Sequence, residues 1–297
     1  MRGAVAAIAA ACVALASATS PAEPGRKTGV AQSPTTAREG HADVPGARLW
    51  YTDTGGTGQP VVFAHAATGS SRVWEYQLPA FTARGYRVIA YDRRGFGRSE
   101  VMPAGPQPGT GADDLEGLLD YLKLDRVHLV GSAAGGIVSL DFAVSFQNRL
   151  RSLVIANSVG GVQDASYLEI GRRLRPAPQF GALPPDVREL GPSYRASNPE
   201  GTARWLALER VSRPEGAPQL TQTFRNTLTF SLLEGITVPT LLLTGDADLY
   251  SPPAVLPLFG SRIRGARTVV IAGAGHSAYW EQPEVFNRTV LEFLAGR

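Results

Sequence analysis

The sequence predicts an α/β architecture: a mostly parallel central sheet, helices on both faces, and a helical cap inserted late in the chain. Three observations predict it. Short apolar, β-branched runs recur from about residue 46 onward. Amphipathic stretches of helical length separate them, and alternation of this kind implies parallel strands joined by helical crossovers. One region, about 160–236, breaks the rhythm with Pro-rich turns and helical segments but no convincing strand.

Taken in order, the chain opens on a targeting pattern. Arg2 is followed by an apolar run over 4–16 and by Ala16-Ser17-Ala18, an Ala-x-Ala cleavage site. Residues 1–18 are therefore expected to be a signal peptide, and the protein to be exported to the periplasm or the medium. The run is too short for a membrane span of about 20 residues, so no integral membrane anchor is expected after cleavage. Cys12, the sole cysteine, lies inside this segment, which leaves the mature chain without disulfide or thiol chemistry. Residues 19–45 are rich in Pro, Thr, Ser, Gly and Ala and are expected to form a flexible linker, with His41 exposed in it.

The domain is then expected over 46–297. Strands are predicted at 61–63, 86–91, 127–130, 150–156, 238–243 and 268–271. Several are apolar at nearly every position, as strands covered on both faces must be. Helices are predicted at 73–84, 112–123, 135–147 and 284–295. The 160–236 insertion follows a strand end, where ligands bind in open α/β sheets, and is expected to cap the site.

Charge excludes some functions. With 29 basic and 26 acidic residues among 297, the net charge of +3 carries no Lys/Arg run long enough for a nucleic-acid groove or a polybasic membrane patch. A small-molecule substrate is the expected partner; the oligomeric state is left open. No His/Asp/Glu spacing makes a metal site, and no phosphate-cradling glycine loop occurs, so neither metal nor cofactor is expected.

Three motifs carry chemistry. Val127-His128-Leu129-Val130-Gly131-Ser132-Ala133-Ala134-Gly135-Gly136 reads as a strand, a sharp elbow and a helix start. Leu241-Leu242-Leu243-Thr244-Gly245-Asp246-Ala247-Asp248 ends a strand with two carboxylates. Gly273-Ala274-Gly275-His276 follows the next strand. Upstream lie His65-Ala66-Ala67-Thr68-Gly69 and Tyr91-Asp92-Arg93-Arg94-Gly95-Phe96-Gly97-Arg98-Ser99.

In this order the motifs resemble the α/β-hydrolase superfamily, in its esterase, lactonase, epoxide-hydrolase and haloperoxidase-like branch, from about residue 46 to the C-terminus. The resemblance implies that His276 is the general base and acid and that Asp248, favoured over Asp246 by its spacing to Pro252, orients it. It implies an oxyanion hole from the backbone N–H groups of Ala67 and Ala134. It also implies a nucleophile at position 133, where this chain has Ala133 instead of serine. The neighbouring Ser132 sits one residue early, either as a small residue bonded beneath the elbow or as a functional hydroxyl in a shifted register. Trp74 and Tyr250 are candidate pocket residues, with Tyr194, Trp205 and Tyr279 as further aromatics that either line a pocket or pack. Glu281 and Pro283 are expected to start the last helix.

Ala133 leaves three readings open. The protein is a hydrolase of an ester- or lactone-like carbonyl that has lost its serine, an enzyme that needs no nucleophile because His276 activates water or a substrate C–H directly, or a binding protein.

Overall fold

The computed structural model describes residues 37–158, 161–175, 178–213, 215–216, 220 and 222–297. The signal-peptide expectation and most of the linker lie outside them. The strands are β1 (Arg38–Val44), β2 (Ala47–Asp53), β3 (Pro60–Ala64), β4 (Arg87–Tyr91), β5 (Glu100–Val101), β6 (Val127–Ser132), β7 (Leu150–Ala156), β8 (Thr240–Gly245) and β9 (Arg267–Ile271). The helices before the insertion are α1 (Gln77–Thr82), α2 (Gly111–Tyr121) and α3 (Ala134–Ser145). Those between β7 and β8 are α4 (Ala165–Leu174), α5 (Gln179–Ala182), α6 (Pro185–Glu189), α7 (Pro192–Ser197), α8 (Pro199–Arg210) and α9 (Phe230–Leu233). The last are α10 (Leu256–Gly260), α11 (Ala278–Glu281) and α12 (Pro283–Leu294).

The sheet runs β1-β2-β4-β3-β6-β7-β8-β9, with β5 also on β2. Pairing is antiparallel around β2 and parallel from β4 to β9. This is the α/β-hydrolase fold expected from the motifs. Alternate residues of each central strand enter different cores, because successive side chains point to opposite faces. Val62 and Leu129 pack with α2 and α3, whereas Val61, Phe63 and Val130 pack with α1, α11 and α12.

Two boundaries are corrected. The sheet begins inside the expected linker: Arg38–Val44 pairs along its whole length with β2, and Ala42 and Val44 reach the core. His41 is not idle, since its ring stands edge-on to Trp50 and its Nε2 lies 3.0 Å from the Arg98 carbonyl. The end of the expected cap, from Leu228 to Ile236, packs into the main core beside α3. Among the described residues of the insertion, regular structure is otherwise helical, α4 to α8. No helix among the described residues is long and apolar enough to cross a membrane.

Candidate active site

The elbow joins β6 to α3 in one residue. Ala133 has φ 49° and ψ −117°, a left-handed backbone that costs an L-residue about 1–3 kcal/mol. Its N–H donates to the Ala156 carbonyl at 2.9 Å, tying the bend to β7. A Cβ on Gly135 would overlap the Ala64 carbonyl, so only glycine lets α3 start this close to β3. Ala134 is the first residue of α3, and its N–H has no partner within the helix. The Ala67 N–H likewise finds no backbone acceptor among the described residues.

The turn bearing Ala67 is held by His65. Its Nδ1–H donates to the Ala66 carbonyl at 2.7 Å, and its Nε2 accepts from the Arg93 N–H at 2.9 Å. Burial pushes the His65 pKa well below the ordinary value, with Arg93 adding to the effect, so the ring is a neutral strut.

Asp248 and His276 meet as expected. Nδ1 of His276 lies 2.9 Å from both carboxylate oxygens. Oδ1 also accepts from the Tyr250 and Ser251 N–H groups, both at 2.8 Å, and Oδ2 from Asn157 Nδ2 at 3.1 Å. Burial opposes ionisation of Asp248, but His276 and these donors outweigh it and hold the carboxyl at about 2. Burial likewise disfavours the imidazolium, yet Asp248, Glu189 and Glu281 raise the His276 pKa above its ordinary value. Nε2 makes no hydrogen bond among the described residues. Asp246 instead accepts from the Gly273 N–H and shapes the turn.

These groups surround a cavity of about 230 Å³ lined by Ala67, Ala133, Ala134, Tyr250, Glu189 and His276 among others. The Tyr250 ring lies 4.3 Å from that of His276, at an interplanar angle of 36°. Tyr250 is therefore placed where the sequence put it.

Two pocket candidates are not. Trp74 is fully buried, packed on Phe63, Tyr279 and Phe286; its indole completes the core beneath the site. Ser132 is also fully buried, as the last residue of β6, and its Oγ has no hydrogen-bond partner among the described residues. It is not among the residues that line the cavity. Tyr194, Trp205 and Tyr279 are core residues too.

Three residues escaped the sequence. Glu189, at the end of α6, is buried and lines the cavity, and its Oε2 has no partner among the described residues; burial raises its pKa, against the pull of His276. Its carbonyl accepts from the N–H groups of His276 and Ser277. Asn157, also at positive φ, bridges Asp248 and the Gly275 carbonyl. Glu281 does not serve as a helix-starting acid: its carboxylate, buried, accepts from the N–H groups of Gly191, Gly275 and Ser277. It staples the insertion to the His276 loop, and burial raises it to about 7 despite those donors. No group of His, Cys, Asp or Glu among the described residues could hold a metal ion.

The chain belongs to the alpha/beta hydrolase family, whose model matches residues 61–289. It is similar to the 2-hydroxy-6-oxononadienedioate/2-hydroxy-6-oxononatrienedioate hydrolase of Burkholderia vietnamiensis, at 29% identity over 275 residues, covering 83% of this chain and 91% of that one. Among solved structures, a thermophilic esterase from Thermogutta terrifontis matches with a TM-score of 0.73 at 30% identity, covering 88% of this chain and 99% of the other. The enol-lactonase from Burkholderia xenovorans matches at 0.68 and 25%, covering 86% and 100%.

Proposed function

We propose that this protein is an exported hydrolase of ester- or lactone-like carbonyls in which His276 activates water directly, without an acyl-enzyme. The observation that carries the reading is the Asp248–His276 pair beside the methyl group of Ala133, on the cavity that Ala67 and Ala134 also line. The relatives named as esterase and enol-lactonase support the substrate class. Export rests on the Arg2, apolar and Ala16-Ser17-Ala18 pattern.

The chemistry follows from the hydrogen bonds. With Nδ1–H committed to Asp248, the Nε2 lone pair is free to take a proton from water. The water oxygen attacks the carbonyl carbon, and the carbonyl oxygen becomes an oxyanion facing the Ala67 and Ala134 N–H groups. Asp248 stabilises the imidazolium. The C–O bond then breaks, and His276 returns its proton to the departing alkoxide, giving acid and alcohol, or the hydroxy acid of an opened lactone. Ala133 stands at the nucleophile position, and a methyl has no lone pair to form an ester.

Comparing the mature protein with Ala133→Ser on p-nitrophenyl esters and lactones tests this. The native protein should turn over without a burst and show no mass increase when quenched with substrate. Ala133→Ser should accumulate one acyl group per chain. An acyl adduct on the native protein, or turnover only after the serine is installed, refutes direct water activation.

A further inference from the structure

A second cavity, of about 220 Å³, adjoins the first: Ala67, Ala134 and Ile137 line both. Its polar wall is cationic. Arg93 is only 7% exposed, and its Nε and Nη2 make no hydrogen bond among the described residues. Arg213 lines the same cavity, and both guanidinium groups stack on Phe96, at 4.6 and 4.0 Å from the ring centroid. Neither forms an ion pair among the described residues. The contrast with the next residue is sharp: Arg94 is bidentate to Asp114 and donates to the carbonyls of Pro45, Gly46 and Pro106.

Among the described residues these two arginines have no counter-charge, and the buried one presents donors that an anionic group in the cavity would satisfy. Guanidinium matches carboxylate geometry in two parallel hydrogen bonds. Placement is fixed by the backbone, since the Arg93 N–H is bonded to His65, the strut of the oxyanion turn.

We propose that the Arg93–Arg213 cavity is a carboxylate subsite, and that the substrate is an ester or lactone carrying a free carboxylate on its acyl side. The substrate class rests on the hydrolase reading above; the anion site does not. Burial pushes the Arg93 pKa down to about 10, with Arg213 contributing, so both stay charged at neutral pH while gaining from an incoming anion. Gln222, which also lines the cavity, donates through Nε2 to Asp114.

Isothermal titration with succinate, and with neutral succinamide as control, tests the site. Native protein should bind succinate and not succinamide. Arg93→Gln and Arg213→Gln should each weaken succinate binding about 10- to 100-fold, the range for losing charge-assisted hydrogen bonds. Arg93→Lys should recover part of the loss, which separates charge from folding. Equal succinate affinity in native protein and both glutamine variants overturns the proposal, as does no binding by native protein. In the kinetic arm, native protein should favour monomethyl succinate over methyl butyrate, and Arg93→Gln should level the two. Succinate binding without hydrolysis of either ester upholds the anion site and sinks the hydrolase reading alone.

Discussion

The acid–base corner and the elbow of this site lie across one cavity and are finished to different degrees. At the corner, both oxygens of Asp248 are saturated, by His276 and by donors from β8, the Tyr250 loop and Asn157. At the elbow, Ala133 holds a strained backbone that carries only a methyl group, and the hydroxyl of the preceding Ser132 is buried without a partner among the described residues. Burying an ion pair costs several kcal/mol of desolvation per charge unless geometry restores it. The corner meets that condition through six hydrogen bonds to the Asp248 carboxylate. The elbow's strain serves something other than a nucleophile: it starts α3 where the Ala134 N–H is left unpaired. On the proposed mechanism, proton transfer and oxyanion binding are the functions this site keeps, and covalent attack is the one it lacks.

The largest effect that would break this comparison is on the corner. His276→Ala should lower kcat for ester or lactone hydrolysis by about 10²- to 10⁴-fold, the usual contribution of a positioned base. In native protein, kcat/KM should rise with pH through a midpoint above the ordinary histidine value, because Asp248 and its neighbours raise His276. Retention of full activity in His276→Ala, measured by pH-stat on the active substrate, would place the chemistry elsewhere.

The corner was legible because its residues follow strand ends in turn sequences whose glycines permit close approach. A Cβ on Gly275 would collide with the Gly191 N–H, so the loop before His276 tolerates little else. Ala67 and Ala134 were legible for a related reason: backbone donors need a turn, and turns leave a sequence mark. What was illegible depends on contacts far apart in the chain. Trp74 follows the oxyanion turn and reads like a pocket aromatic until Tyr279 and Phe286 close over it. Glu189 and Glu281 carry no motif, and only folding of the insertion onto the His276 loop makes them neighbours. β1 was hidden because its outer half, Arg38–Gly40, is polar and its composition resembles a linker.

A smaller effect sharpens the comparison by testing how the corner is held. Glu281 is raised from 4.5 to about 7 by burial, so its contribution to stability is fully present below about pH 4.5 and is lost as pH rises through about 7. That loss is about 3 kcal/mol at most. His276, also raised, contributes in the same direction at higher pH. Asp248 acts oppositely, its contribution being lost as pH falls toward about 2. Unfolding free energy from guanidinium chloride titrations should therefore decline between pH 5 and 8. Glu281→Gln, whose amide does not titrate but still offers an oxygen to the three N–H groups, should show a shallower decline. Identical slopes would mean that the staple does not titrate in this range.

The smallest effect is expected at Ser132, and it decides what the elbow's hydroxyl is for. The two sequence readings were a bonded residue under the elbow and a functional serine in a shifted register. The geometry fits neither, because Oγ faces no acceptor among the described residues and does not line the cavity. An unsatisfied buried hydroxyl is destabilising, by about 1–3 kcal/mol for a polar group of this kind. Ser132→Ala removes the oxygen without creating a cavity larger than the atom itself. Its unfolding midpoint should stay level or rise, by the equivalent of about 1 kcal/mol, and kcat/KM should not change. A fall in kcat/KM at unchanged stability would bring the hydroxyl back into the chemistry and make the elbow, not the corner, the half that was misjudged.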